Sequence, residues 1–335
     1  MLDRKEILSN RSRYMSKARG CLAGLGVGDA MGDLGRSQEY RSRYGIVTNM
    51  YPDARSTDDT EFGILTARCL IDSKGAPTTA DVCAAWKKYI LDRGGAKKRA
   101  GRPLYGAIEN IGRGLMPPES GRYNVMNTDD GAAMRISPIG IFRAGDPEGA
   151  ATMAAVDACI SHDRDGIYAA QAIAASVAVA MADGSVDEII AAGRERMPVD
   201  SWIARTMDIA MEICTAKPDI EIAFEDLHTK LWTPEHATAA EAIPQVYAIF
   251  RLTGGDFRRG LLWSANFGRD ADTISGLVCS LAGALHGVEV IPDTWIERIR
   301  RASGVCLDFS SDEDLIDLAD ELVELSYSTE GTSAS

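Results

Sequence analysis

Two short acidic stretches, far apart in the chain, hold the residues best suited to chemistry: STDDT at 56–60 and RDADT at 269–273. In the second, one residue separates Asp270 from Asp272, so in a non-helical loop both carboxylates can turn toward one point, where Thr273 adds a hydroxyl oxygen. Hard oxygen donors of this kind suit Mg²⁺, Mn²⁺ or Ca²⁺ better than Zn²⁺. In the first, Asp58 and Asp59 follow Ser56 and Thr57, either of which is a good helix N-cap. Each stretch alone has a plainer reading, because Asp and Thr at a helix start also cap it and complement its dipole. Together they admit another: two such loops meeting at one place would neutralise two divalent ions.

The elements that must position these loops are helices. After Asp272, the residues Ser275, Cys279, Gly283 and Gly287 recur at i+4 and form a ridge of small side chains. Near the N-terminus, Gly20, Gly24, Gly28 and Gly32 do the same. A glycine costs roughly 1 kcal/mol in a helix interior, so four in register imply a close backbone contact, and the 275–287 helix is the obvious mate. Asp29 lies within this glycine-rich segment, where its charge needs a cation or donors. A nucleotide-binding loop is disfavoured, since the glycines do not give GxGxxG, no β-branched strand precedes them, and no GK[ST] follows.

Helical periodicity continues along the chain. Phe62, Leu65, Cys69 and Leu70 mark an apolar face, and further helices are expected at 79–91, 103–113, 147–160, 166–182, 186–195, 202–214, 221–231, 238–252 and 256–264. No set of alternating strands interrupts them, so the fold class is all-α. With 335 residues, 45% of them hydrophobic, and no Pro/Ser-rich linker in the middle, one catalytic domain over 16–326 is expected. Residues 1–15 read as a polar arm or short helix, and 327–335 as a disordered tail.

A net charge of −13 and a pI near 4.9 argue against nucleic acid and anionic membranes as partners. The seven cysteines are scattered singly through apolar segments without CxxC spacing, as in a reduced protein. The apolar run 169–182 is shorter than the ~20 residues of a membrane span, and CLAGLGV is too short and glycine-laden for a signal peptide. A cytoplasmic protein is expected. The basic run Lys97, Lys98, Arg99 and Arg102 is either a solvated loop or a steering element for an anionic substrate. His228, His236 and His286 have no ligand spacing.

GDAMG at 28–32, STDDT at 56–60, GAAMRISPIG at 131–140, His162 in ISHDRDG, and NFGRDADT at 266–273 resemble, in order and approximate spacing, the ADP-ribosylglycohydrolase family, including the dinitrogenase reductase-activating glycohydrolases. The resemblance implies a single-domain orthogonal helical bundle. It implies two Mg²⁺ or Mn²⁺ ions held by Thr57, Asp58, Asp59, Asp270, Asp272 and Thr273, with Asp58, Asp59 and Asp272 as the catalytic carboxylates. Substrate binding would fall to Asp29, Asp130, Gly131, Met134, Arg135, His162, Asn266 and Arg269, while Asp92 stands near a position where the family has a further carboxylate. The implied activity is hydrolysis of a glycosidic, chiefly N-glycosidic, bond to ribose by a metal-activated water, releasing ADP-ribose from a modified protein or small molecule. Three departures bear on it: Arg36 replaces a Glu, Asp130 an Asn, and Arg269 a Gly. An acid at 130 would repel a pyrophosphate and Arg269 would attract one. Hydrolysis of a small phosphate-free ribosyl N-glycoside, or a non-catalytic ADP-ribose-binding role, are therefore the alternatives.

Overall fold

The computed structural model describes residues 1–333. In chain order the helices are α1 (Arg4–Ser9), α2 (Arg11–Arg36), α3 (Gln38–Tyr44), α4 (Asp58–Asp72), α5 (Thr79–Tyr89), α6 (Arg102–Gly112), α7 (Glu119–Arg122), α8 (Ser137–Phe142) and α9 (Pro147–Ala158). They continue as α10 (Asp165–Met181), α11 (Val186–Arg194), α12 (Trp202–Ala216), α13 (Ile220–Leu231), α14 (Ala239–Leu252), α15 (Phe257–Ala265), α16 (Ala271–His286), α17 (Asp293–Ile299) and α18 (Leu315–Ser333). The described residues contain no strand, only isolated bridges between Asp129 and Thr238 and between Arg301 and Asp314. The fold is all-α, and each helix expected between 79 and 264 is present with ends shifted by a few residues.

At the centre α2 and α16 lie antiparallel with their backbones nearly touching. A Cβ built on Gly20 would stand 2.5 Å from the Gly283 carbonyl oxygen, on Gly24 2.3 Å from that of Cys279, on Gly28 2.2 Å from that of Ser275, and on Gly32 2.1 Å from that of Ala271. These separations are far below contact distance, so only hydrogen fits on that face of α2. The stripe of glycines is thus the cause of the pairing, and it fixes the start of α16 against the end of α2. Around this pair one hydrophobic core is continuous. Much of α10 lies inside it, the residues from Ala172 to Met181 being all at most 3% exposed. Alanine on every side lets α8, α9, α11 and α16 approach it closely. No helix among the described residues is long and apolar enough to cross a membrane.

Of the two forms expected for residues 1–15, the structure has the short helix, α1, and not a free arm: α2 follows it at Arg11, and buried Tyr14 donates to the Ile141 carbonyl at 2.7 Å. At the other end α18 runs through 327–333, with Tyr327 Oη donating to the Leu8 carbonyl at 2.8 Å. The two ends therefore pack on each other, which composition alone does not reveal. Residues 334–335 of the expected tail lie outside the described residues.

Candidate functional site

Among the described residues, nine of the eighteen helices have a side-chain N-cap. Asp3, Thr78, Ser185 and Asp256 each accept from a backbone N–H of the helix they start. Thr57 before α4 and Asp270 before α16 hold the N-cap positions without making that bond. Capping therefore does not account for them, and their side chains are turned elsewhere. The N-termini of α4 and α16 both open onto one cavity of about 280 Å³, lined by Asp58, Asp59, Asp270, Asp272 and Thr273 together with Asp129, Asp130, Gly131 and Met134 from the loop before α8. Two acidic loops more than 200 residues apart are thus brought to one wall, because the glycine stripe sets α16 against α2 and α4 is tied to α2 by Asp29.

Asp29 is the tie. Its carboxylate accepts from the backbone N–H and hydroxyl of Thr57, each at 2.7 Å, and from the N–H and hydroxyl of Thr60. Four donors satisfy the buried charge without a cation or a substrate, so Asp29 fastens α4 to α2 and does not line the cavity. Burial nevertheless pushes its carboxyl up to about 7, those donors pulling the other way. Thr57 is likewise spent on Asp29, with Asp59 Oδ2 a further 3.4 Å partner.

The carboxylates themselves are held in unequal ways. Arg36 Nη1 donates to Asp270 Oδ1 at 2.7 Å and also to Asp272 Oδ1. Arg99 donates to Asp33 at 2.6 Å and stands 3.7 Å from Asp272. Among the described residues Asp58 and Asp59 make no ion pair, and Asp59 Oδ1 and Asp130 Oδ2 are buried with no hydrogen-bond partner. Burial first, then the charge on Asp272, holds the carboxyls of Asp58 and Asp59 well above the usual carboxylate range. Burial, reduced by Arg36 and reinforced by Asp270, lifts Asp272 to about 6. As the side chains stand, no three acidic, His or Cys residues among the described ones close on a single point. The donor set is nevertheless right for a hard cation on the Asp58–Asp59 side, where both carboxylates line the cavity and Asp59 Oδ1 is buried and unpartnered.

Several residues expected to bind substrate do other things. Arg135 is fully buried, pairs with Asp157 at 2.7 Å and the Gly131 carbonyl at 2.8 Å, and lies over Trp86. It braces the 129–135 loop from behind. Asn266 holds the Val47 backbone in both directions, at 2.7 and 2.8 Å, away from the cavity. Arg269, at φ +56°, donates to buried Glu241 at 2.8 Å and to the Thr233 carbonyl at 2.6 Å. It is fully engaged and does not line the cavity, so it is not placed to attract a pyrophosphate there. His162 is also behind the wall, with Nε2 2.6 Å from Asp129 Oδ1 and Nδ1 2.7 Å from Ser161 Oγ. Ser, His and Asp in a row suggest a nucleophile triad, but Ser161 is fully buried and accepts from Arg135 at 3.2 Å, so the row serves to orient Asp129. Asp130 does line the cavity, but burial first and Asp270 second push its carboxyl well above the usual range. That shift acts against a full negative charge at this position and so weakens the expected repulsion of a pyrophosphate. Asp92 is exposed in a short 3₁₀ turn and takes no part.

Other residues enter unannounced. Arg99 and Arg102 line the cavity, so the basic run at 97–102 is not simply a solvated loop. Arg99 has φ +82°, a conformation unfavourable for a side-chain-bearing residue. Its isolation in an acidic chain was the only sequence signal. His236 stands at the mouth with Nε2 3.3 Å from Asp270, and nothing in its sequence neighbourhood marks it. Asp129, adjacent to Asp130, carried no separate signal.

Residues 10–331 match the family model described as ADP-ribosylglycohydrolase. An ADP-ribosyl-[dinitrogen reductase] glycohydrolase from Rhodospirillum rubrum is 25% identical, over 84% of this chain and 90% of that one. ADP-ribosylarginine hydrolase Tri1 from Pseudomonas putida is 23% identical, over 85% and 74% respectively. A solved chain of an ADP-ribosylglycohydrolase-related protein complex superposes with a TM-score of 0.65 at 20% identity, covering 94% of this chain and 99% of that one, and so shares the fold. The match over nearly the whole length, with both acidic loops on one cavity, places this chain in the ADP-ribosylglycohydrolase family of enzymes that hydrolyse glycosyl bonds.

Proposed function

We propose that the protein is a cytoplasmic, metal-assisted hydrolase that cleaves the N-glycosidic bond between ribose and an ADP-ribosylated group on a protein or small molecule. The observation that carries this reading is the facing of Asp58 and Asp59 with Asp270, Asp272 and Thr273 across one cavity. Those side chains would hold the divalent ions, Mg²⁺ or Mn²⁺. When bound, such an ion supplies a Lewis acid that acidifies water and takes up sugar hydroxyls.

The chain's own residues do the rest. Asp58, Asp59 and Asp272 supply negative charge beside the anomeric carbon, stabilising an oxocarbenium-like transition state, and one of them accepts the proton of the attacking water. Asp129, oriented by His162, and Asp130 offer carboxyl oxygens to sugar hydroxyls. Met134 provides an apolar floor. At about 280 Å³ the cavity lies near the lower edge of the ~300–1,000 Å³ of small-molecule sites. It therefore takes the ribose being cleaved, with the remainder of an ADP-ribosyl group lying along the surface by Arg102.

The same volume favours a second reading, a small phosphate-free ribosyl N-glycoside. A panel of ADP-ribosyl-arginine, ADP-ribosyl-serine, ADP-ribose 1″-phosphate and simple ribonucleosides, assayed with Mg²⁺ and with Mn²⁺, separates the two. Release of ADP-ribose from the first two supports the leading reading. Turnover of ribonucleosides alone would install the second, and no turnover with either ion would remove both.

A further inference from the structure

We infer that the guanidinium of Arg36 is a resident cation in one of the two cation positions, so that the chain takes up a single divalent ion, on the Asp58–Asp59 side. The inference rests on the metal-assisted reading above and narrows it. Arg36 is the last residue of α2, four residues after Gly32, on the face packed against the start of α16. From there one nitrogen, Nη1, reaches Asp270 at 2.7 Å and Asp272 as well. A single positive group on both acids uses, for its own charge, carboxylate oxygens that would otherwise be free to hold a cation. The acid side chains are 6% and 3% exposed and that of Arg36 is 31% exposed, so the pair is shielded on the protein side while the guanidinium borders the cavity.

The balance of charge points the same way. Arg36 and Arg99 face Asp33, Asp270 and Asp272, leaving these three acids largely compensated. Among the described residues Asp58 and Asp59 make no ion pair, Arg99 and Arg36 acting on them only from longer range, and Asp59 Oδ1 is buried and unpartnered. The pair left without a contacting cation, Asp58 and Asp59, carries the charge that one divalent ion neutralises. A second dication beside Arg36 would meet a like charge at short range, which disfavours it. Arg99, held at φ +82°, adds to that positive edge.

The test is a count of ions. Wild-type protein dialysed against Mn²⁺ is measured by native mass spectrometry and elemental analysis, with electron paramagnetic resonance separating isolated Mn²⁺ from an exchange-coupled pair. We expect one Mn²⁺ per chain with an isolated-ion spectrum. Arg36→Glu, which adds an acid where a cation stood, should bind two and show coupling; Arg36→Gln should raise affinity for a second ion at least tenfold. Two coupled ions in the wild type would overturn the inference while leaving the metal-assisted reading intact. None at millimolar Mn²⁺ would overturn both. Because the wild-type count decides, a variant that folds poorly does not remove the test.

Discussion

Replacing Gly32 with alanine tests the link between the central helix pair and the acidic site. In an exposed helix this change stabilises by about 1 kcal/mol, since alanine is the better helix former. Here the added Cβ falls 2.1 Å from the Ala271 carbonyl oxygen and 2.6 Å from the Asp272 Cα. Carbon and carbonyl oxygen approach no closer than about 3.3 Å, so the start of α16 must withdraw by about 1 Å. Both obstructing atoms are backbone, so no side-chain rotation relieves the clash. Overpacking of this kind costs about 1–3 kcal/mol, and we expect a net loss of stability of that size in urea unfolding. Asp270 and Asp272 ride on the displaced turn, and a shift of about 1 Å in positioning groups lowers turnover on the order of 100-fold. Gly20→Ala is the control: it meets the Gly283 carbonyl at 2.5 Å, at the far end of the pair. It should cost comparable stability while leaving Mn²⁺ affinity and turnover of folded protein near wild type. If Gly32→Ala is stabilised, or if both variants lose Mn²⁺ affinity equally, the helix contact does not position the site and the reasoning fails.

Other outcomes are expected. EDTA should lower the melting temperature and Mn²⁺ restore it, since an ion at 100 times its Kd stabilises the native state by about 2.7 kcal/mol; Asp59→Asn should abolish both that response and turnover, and superimposable melts of the wild type with and without ion would count against a metal site. Burial lowers the pKa of His162 from 6.5, so its neutral form belongs to the folded state; that stability is complete above pH 6.5 and is lost as pH falls through the lowered value. His162→Gln should remove that part of the acid slope in urea midpoints between pH 8 and pH 5, and an unchanged slope would mean that other groups set it. Buried Glu61 accepts from the backbone N–H groups of Val305, Cys306 and Leu307, at 2.8, 3.0 and 2.6 Å; Glu61→Ala leaves all three unpaired and should cost about 3 kcal/mol or more, whereas a loss below about 0.5 kcal/mol would show that water replaces the carboxylate.

The all-α fold and most helix positions were legible because helical periodicity and capping are local properties. The pairing of α2 with α16 was legible for a different reason: glycines at i+4 on Gly20, Gly24, Gly28 and Gly32 are unfavourable unless a second backbone lies against them, so composition itself implied a contact between distant segments. The acidic loops were legible as residue types, since Asp58, Asp59, Asp270 and Asp272 are costly in a core without a purpose. Their partners were not. Whether Asp29 met a cation or donors was settled by Thr57 and Thr60, which lie 28 and 31 residues away. Arg269 could be read as reaching for a phosphate until Glu241, 28 residues back, was found beneath it. Arg36 stood out in sequence only as a substitution, and its role depends on two acids 234 and 236 positions away. A flexible charged side chain takes the partner that packing brings within reach. Sequence thus determined which groups could do chemistry and which helices would carry them, while the crossing of α2, α4 and α16 decided which charges are spent on one another and which are left facing the cavity.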